Sequence, residues 1–386
     1  MFYGDTPSTL SYIYDCGSDS LTPLREAISD FLVDREEIDI AFLSHLDSDH
    51  VNGIDTLLGK CAVRNVVLPY LDNFALLDAV GNSLEEDAYT ASFAEFLERP
   101  VTWLRARGVQ HVWMAGRAPG NEGPAAPRPD GEARFEAVEP PRIREDARDV
   151  RQAVFGIIGR FRGDTLPGGE QVSLLDPGAV LVSSPDGKSI GWWFVPYAPP
   201  VDSTKLANFK AALLAIGLNM DTASAKDILQ FVRNQRKLFQ SCYSTIASNH
   251  NVVSLCLFSS PPLTGYVHAS YGGHEFGQSK KLGWMHTGDA PWGTQYQIKA
   301  AKAFYSNFLG DVGVLVVPHH GSGHNFRVEA FKMCSPDFVL LPYGIHNKHG
   351  HPHGRVTHML HRVGVVRRDV TENPSSGFST QIDGVI

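Results

Sequence analysis

The sequence has no CxxC pair, and its five cysteines, Cys16, Cys61, Cys242, Cys256 and Cys334, are odd in number. That speaks against a thiolate zinc site and against a disulfide framework, and the cysteines read as reduced, mostly buried thiols. No apolar run reaches the roughly 18 to 20 residues that a membrane-spanning helix needs, and the start, MFYGDTPSTLSY, lacks the basic flank and apolar core of a signal peptide. A cytoplasmic chain with no membrane partner is expected. A general surplus of basic charge is also missing: the net charge is -8, which argues against a protein that coats nucleic acid. The shortage of basic residues is local, however. Residues 1–100 carry 5 basic and 19 acidic side chains, so the remainder is net positive and leaves room for a basic track further along. What is present, 43% hydrophobic and 20% charged residues over 386 positions, suffices for one large core or two smaller ones.

Along the chain, LSYIYDCGSDS alternates apolar and polar residues and breaks at Gly17, as a strand running into a loop does. LTPLREAISDFLVD predicts an amphipathic helix with Leu24, Ile28, Phe31 and Leu32 on one face; IDIAFLSH and RNVVLPY predict buried strands, with a short helix at NGIDTLLGK between them. That rhythm indicates helices layered on sheet. Ala88–Ala115 holds one further helix and the strand-like QHVWM. Residues 117–149 are rich in Pro, Gly and charge and read as a linker or loop. Residues 170–200 are strand-rich, 205–217 and 222–246 predict two helices, and strands return from Asn251 with VVSLCLF, LGWMHTGD, GVLVVPHHG and DFVLLPYG. There is no internal repeat.

The chemistry concentrates at strand ends. SHLDSDHVNG (44–53) places His45, Asp47, Asp49 and His50 within six residues of one such end. In an extended segment alternate side chains share a side, so His45, Asp47 and Asp49 can converge while His50 approaches from another direction. Imidazole and carboxylate donors together suit zinc, manganese or iron. The plainer alternative is a polar loop capping the helix at Asn52. MHTGDA sets Asp289 after an apolar strand and a glycine, where a carboxylate can bridge two cations, though such a turn alone carries little. VVPHHGSGHN delivers His319 and His320 into a Gly/Ser loop, and LLPYGIHNKHGHPH repeats that design with His351 and His353. Nine of the 16 histidines lie between His319 and His361.

Asp15 in YDCG, the HLDSDH segment, TGD at 287–289 and the histidine loop after the next strand resemble the ordered motifs of the metallo-β-lactamase superfamily. Within it, SHLDSDHVNG, the strand after SNHNVVSL, HTGDA, VPHHGS and GHPH are most similar to the hydrolase domain of competence-type DNA-uptake proteins and their stand-alone relatives. The likeness covers about residues 1–75 and 247–383. It implies an α/β fold, an αββα sandwich of metallo-β-lactamase type with a large insertion: a first half at 1–117, the insertion at 118–246 and a second half at 247–386. It further implies two divalent metal ions, zinc or manganese with magnesium also open. His45 and Asp47 would bind the first and Asp49 and His50 the second, with Asp289 bridging and His319 or His320 completing the site. Asp49 would also orient the attacking water. His351 would be a ligand or the acid that protonates the leaving group, with His353 as a further catalytic candidate, and either His250 or Asn251 would fall in register at the strand before SLCLF. Asp47 stands where most of the superfamily has histidine, which hardens the site and shifts the balance towards manganese or magnesium.

A two-cation centre of this kind suits phosphodiesters, and a DNA or RNA nuclease is the leading expectation. Ser322, Asn325, Asn347 and His353 are candidates for phosphate contacts, against the ordinary alternative of turn stabilisation. Arg362, Arg367 and Arg368 could form a track for the backbone, isolated surface arginines being the default. Trp192, Trp193 and Phe194 read as core before they read as base-stacking groups. Two other readings stay open: a hydrolase of a small ester, lactone or cyclic nucleotide roofed by residues 118–246, and a non-catalytic scaffold whose insertion binds a protein partner.

Overall fold

The computed structural model describes residues 10–33, 35–83, 90–118, 125–128, 136–137, 154–166, 169–184, 191–243, 253–262 and 264–385. Two sheets pack face to face. The first has six strands in the spatial order Tyr12–Tyr14, Glu37–Phe42, Ala62–Pro69, His111–Ala115, Gln171–Leu175 and Phe161–Thr165. The second has nine, beginning Val366–Val370, Phe338–Pro342, Val312–Val316 and Gly283–His286. It continues through Cys256–Ser260, Trp192–Tyr197, Val180–Ser184 and Val154–Ile158 to Glu136–Ala137.

Side-chain alternation decides which surface each strand buries. Ile40 and Phe42 face the second sheet, where they meet Phe194, Leu255 and Leu257; Ala41 and Leu43 face outward into a helical layer. That layer includes Ile28 and Phe31 of helix Leu21–Phe31, as the periodicity predicts. On the far side of the second sheet, helices Gln295–Phe304, Val328–Cys334 and Gly354–Val363 bury Ile298, Phe304, Ala330, Val356 and Leu360 against Met285, Leu315 and Val339. The result is the αββα sandwich that was expected. Trp193 and Phe194 are buried on opposite faces of one strand, Trp193 under the helices and Phe194 between the sheets, so they belong to the core.

Three features add to or depart from the sequence reading. Most of the linker expected at 117–149 lies outside the described residues, while the strands at 161–165, 171–175, 180–184 and 192–197 pair into both sheets, and the Glu170 carboxylate accepts from the amides of Val101 and Thr102 at 3.2 and 2.7 Å. The helices Ser203–Ala215 and Ala225–Tyr243 lie outside the sheets and pack beside Asn73–Ser83, a helix that the sequence reading omits. The single helix expected within 88–115 is two, Ala91–Glu98 and Pro100–Ala106, because Pro100 pushes Arg99 out of helical geometry (φ -142°, ψ 66°) and then serves as the first residue of the next helix. Finally, Thr264–Tyr271, His274–Ser279 and Phe378–Val385 form a third sheet, whose Ala269, Phe276 and Phe378 cover Trp284, Val314, Phe338 and Leu340 near one edge of the second.

Between the two large sheets the Tyr12 hydroxyl lies 2.9 Å from Ser259 Oγ and 3.4 Å from His286 Nε2, and the His286 ring stacks on Tyr14. Burial lowers His286 from 6.5 to about 3. The folded state therefore disfavours its charged form, and the unfolded chain takes up the proton first. Stability is intact above about pH 6.5 and is lost as the pH falls towards 3, by up to a few kcal/mol. A His286→Leu chain is expected to show a shallower decline in denaturant midpoint across that window, measured by urea unfolding at several pH values.

Candidate metal centre

The strand Glu37–Phe42 ends beneath the second sheet, and the main chain carries Ser44 and His45 onward before coiling into the short helix Ser48–Val51. Asp47 occupies the position before that helix without making a capping hydrogen bond; its carboxylate stands 3.4 Å from His45 Nε2 instead. The expectation that His45, Asp47 and Asp49 share one side therefore holds only as far as Asp47. The chain turns helical at Ser48, and Asp49 is carried round to His50, with Oδ2 3.7 Å from His50 Nε2.

The remaining groups come from far along the sequence. Asp289 follows the strand Gly283–His286, and its main chain is fixed at both ends: the amide donates to Ser254 Oγ at 2.8 Å, and Asn325 Nδ2 donates to its carbonyl at 3.0 Å. Its side chain is buried, with Oδ1 3.2 Å from His50 Nε2, and Oδ2 3.4 Å from His319 Nε2 and 3.8 Å from His45 Nε2. His320 Nε2 lies 3.2 Å from Asp49 Oδ2. Among the described residues, donors of His45, His50 and Asp289 fall within 4.8 Å of one another, as do those of Asp49, His50 and His320. The sequence left His319 and His320 as alternatives; the structure sends them to different carboxylates.

The outer nitrogens are tied down. His50 Nδ1 is 2.8 Å from Asp15 Oδ2, His45 Nδ1 is 2.9 Å from Ser44 Oγ, and His320 Nδ1 is 2.9 Å from the Pro342 carbonyl. Asp15 also accepts from the Ser44 amide and hydroxyl, at 2.6 and 2.8 Å. With Nδ1–H committed outward, a neutral imidazole presents its lone pair inward at Nε2, which is how proteins orient metal-binding histidines. Nε2 of both His45 and His50 is buried without a hydrogen bond. An unsatisfied buried nitrogen is costly unless something else occupies its lone pair. The donor set of imidazole nitrogens and carboxylate oxygens therefore fits a divalent cation.

Two glycines let these segments meet. A Cβ on Gly17 would lie 2.5 Å from the backbone of Asp49 and His50, and one on Gly288 would lie 2.5 Å from Ser254 Oγ and 2.6 Å from Ser44 Cβ. Asp15, His319 and His320 themselves adopt left-handed backbone geometry, at φ 58°, 50° and 52°, and the only other such non-glycine residue among those described is Ser335. Backbone strain thus gathers at the candidate site.

The electrostatics match the geometry. Burial would raise the Asp289 carboxyl, but His319, His50 and His45 outweigh it and hold it well below the usual range. Burial would lower His50, yet Asp49, Asp289 and Asp15 hold it well above 6.5. A cation would replace protons here, so its binding should weaken in acid.

The other candidates sit at the rim or elsewhere. His351 packs its ring 5.4 Å from that of His319, and burial followed by the neighbouring histidines brings it down to about 4. It is neutral near pH 7, which suits a ligand or hydrogen-bond partner better than a charged acid. His353 caps helix Gly354–Val363, its Nδ1 accepting from the Arg355 amide at 3.2 Å, and Asn347 ties its own loop together through the carbonyls of Gly344 and His351. Asn325 holds Asp289, and Ser322 Oγ accepts from the His324 amide. His250 and Asn251 lie outside the described residues. Ser44, Ser254 and the positioning role of Asn325 escaped the sequence reading; a lone serine in the apolar run NVVSLCLF was the one available signal for Ser254.

Asp15→Asn keeps the shape but replaces an acceptor of the His50 proton with an amide that can turn its NH2 towards it. Metal affinity is expected to fall about 10- to 100-fold, read by competition with a chromogenic chelator.

The family model described as Metallo-beta-lactamase superfamily matches residues 7–158. A search of curated proteins gives no match. The matched span contains Asp15 and the HLDSDH segment, and the fold brings Asp289, His319 and His320 to them from beyond it. Together, the match, the αββα architecture and the His/Asp groups point to a metal-dependent hydrolase. No helix among the described residues is long and apolar enough to cross a membrane.

Proposed function

We propose that the protein is a phosphodiesterase that uses two divalent cations, zinc or manganese, and acts on DNA or RNA. The observation that carries this reading is the Asp289 carboxylate, whose two oxygens face different histidines, Oδ2 towards His45 and His319 and Oδ1 towards His50. His45, Asp47 and His319 would hold one ion, and His50, Asp49 and His320 the other, with Asp289 serving both. When bound, two such ions supply Lewis acidity and a nucleophile from water near neutral pH, at both the attacking and the leaving oxygen of an in-line displacement.

The chain's own groups do the rest. Asp49 and Asp289 are held ionised by the imidazoles beside them, so each offers lone pairs to a cation, and Asp49 can accept the hydrogen bond that orients an attacking water. Asp15 and Ser44 keep the inner histidines turned inward. His351, neutral and beside His319 at the rim, can hydrogen-bond a phosphoryl oxygen. The likeness of HLDSDH, HTGDA and GHPH to the competence-type hydrolases supports nucleic acid over small esters.

Elemental analysis of purified protein, paired with turnover of a chromogenic phosphodiester, a carboxylic ester and single- and double-stranded oligonucleotides, tests the proposal. Expected are about two metal equivalents and a chelator-sensitive cleavage confined to diesters. Cleavage of the ester alone, or no metal dependence, would refute it.

A further inference from the structure

A second site lies away from the metal-facing side chains. At the edge of the nine-stranded sheet, Tyr271, His274, Phe276, Arg367, Arg368 and Asp369 line a cleft of about 400 Å³. The cleft forms where the hairpin of the third sheet overhangs the edge strand Val366–Val370, and the Tyr271 hydroxyl fixes that overhang by donating to the Asp369 carbonyl at 2.8 Å.

The two arginines differ. Arg367 is neutralised, with Nε 3.0 Å from Asp369 Oδ1. Arg368 is half-buried, and its guanidinium lies 4.0 Å from the Phe276 ring centroid and 5.4 Å from that of Tyr271. Its Nη1 donates to the Arg367 carbonyl at 3.0 Å, its Nε is buried without a hydrogen-bond partner, and among the described residues no carboxylate pairs with it. A guanidinium partly removed from water keeps its charge and gains from an anion beside it. Contact with two aromatic rings limits where the guanidinium can turn and keeps its charge at the cleft, where a phosphate oxygen can meet it.

The register relates this cleft to the metal centre. Val370 pairs with Pro342, whose carbonyl holds His320, and Arg368 pairs with Leu340 two residues back along the strands. That is about 7 Å along the sheet and about 5 Å across it from Pro342, which places the cleft beside the strand end that holds His320.

We propose that the cleft binds a backbone phosphate of a single-stranded nucleic acid whose neighbouring linkage occupies the metal centre. This rests on the phosphodiesterase reading for the identity of the ligand. Arg368 supplies the charge, and His274, exposed at the hairpin, and the partly exposed Tyr271 offer ring faces to an adjoining base. An acidic protein segment would leave those ring faces unused.

The test is fluorescence anisotropy with a labelled single strand of about twenty nucleotides carrying hydrolysis-resistant phosphorothioate linkages, titrated against the metal-loaded protein over a range of salt. Arg368→Gln is expected to weaken binding about tenfold and to reduce the salt slope by about 0.7, the value for one lost phosphate contact on a single strand. His274→Glu, at the exposed first residue of the strand His274–Ser279, should weaken it in the same direction. Wild-type affinity and slope in both variants would overturn the proposal. Cleavage of unmodified strands by the wild-type protein is read separately: weakened binding by the variants without wild-type cleavage leaves the cleft standing and removes the phosphodiesterase reading, and cleavage with unaffected variants does the reverse.

Discussion

Asp289→Asn is expected to strip the protein of both cations and to lower phosphodiester turnover on the order of a thousandfold or more, as loss of several kcal/mol of charge stabilisation requires. Asn is nearly the same shape, and the main-chain bonds to Ser254 and from Asn325 do not involve the carboxylate, so the fold should survive. What changes is the acceptor: one oxygen is replaced by an NH2 group that offers no lone pair to a cation and points protons at the imidazoles. Elemental analysis and a melting curve on the same preparation read both halves of the expectation. Full metal content in a folded variant would remove Asp289 from the centre.

His319→Ala and His320→Ala should each cost one metal equivalent and leave the other. Their rings stand 6.2 Å apart at 80°, and their inner nitrogens face different carboxylates, Asp289 for His319 and Asp49 for His320. Turnover should fall about 100- to 1,000-fold in either variant, since a displacement assisted at only one of its two oxygens keeps part of the catalytic effect. Metal content and kcat measured together decide it. Loss of both ions in one variant and none in the other would show that the two histidines serve a single position.

The parts of this arrangement that were legible in the sequence are those where chemistry and periodicity coincide. HLDSDH follows a strand whose burial its own apolar run announces, and TGD and PHHGS do the same for theirs. Distance in sequence hid the rest. Nothing in VPHHGS distinguishes His319 from His320, because their directions depend on two consecutive left-handed residues, and positive φ is uncommon outside glycine. Asp15 could be named but its work could not, since the contact with His50 depends on Gly17 letting the two loops touch. Residues 118–246 are hard to read for another reason. Their Pro- and Gly-rich opening looks like a domain boundary, but among the strands after it some extend the sheet begun before it and others join the sheet completed beyond residue 246, at Ala115 beside Leu175 and at Tyr197 beside Cys256.

The left-handed residues at Asp15, His319 and His320 carry a thermodynamic consequence. At about 1 to 2 kcal/mol apiece they consume a sizeable share of the 5 to 15 kcal/mol by which folded domains generally exceed their unfolded chains. Cations bound through His319 and His320, and through the His50 that Asp15 orients, would return stability by mass action. The loop at 317–325 should accordingly be the first part of a chelated sample to exchange its amide protons and the first to be cut by protease, making resistance to digestion a gauge of occupancy that needs no substrate at all.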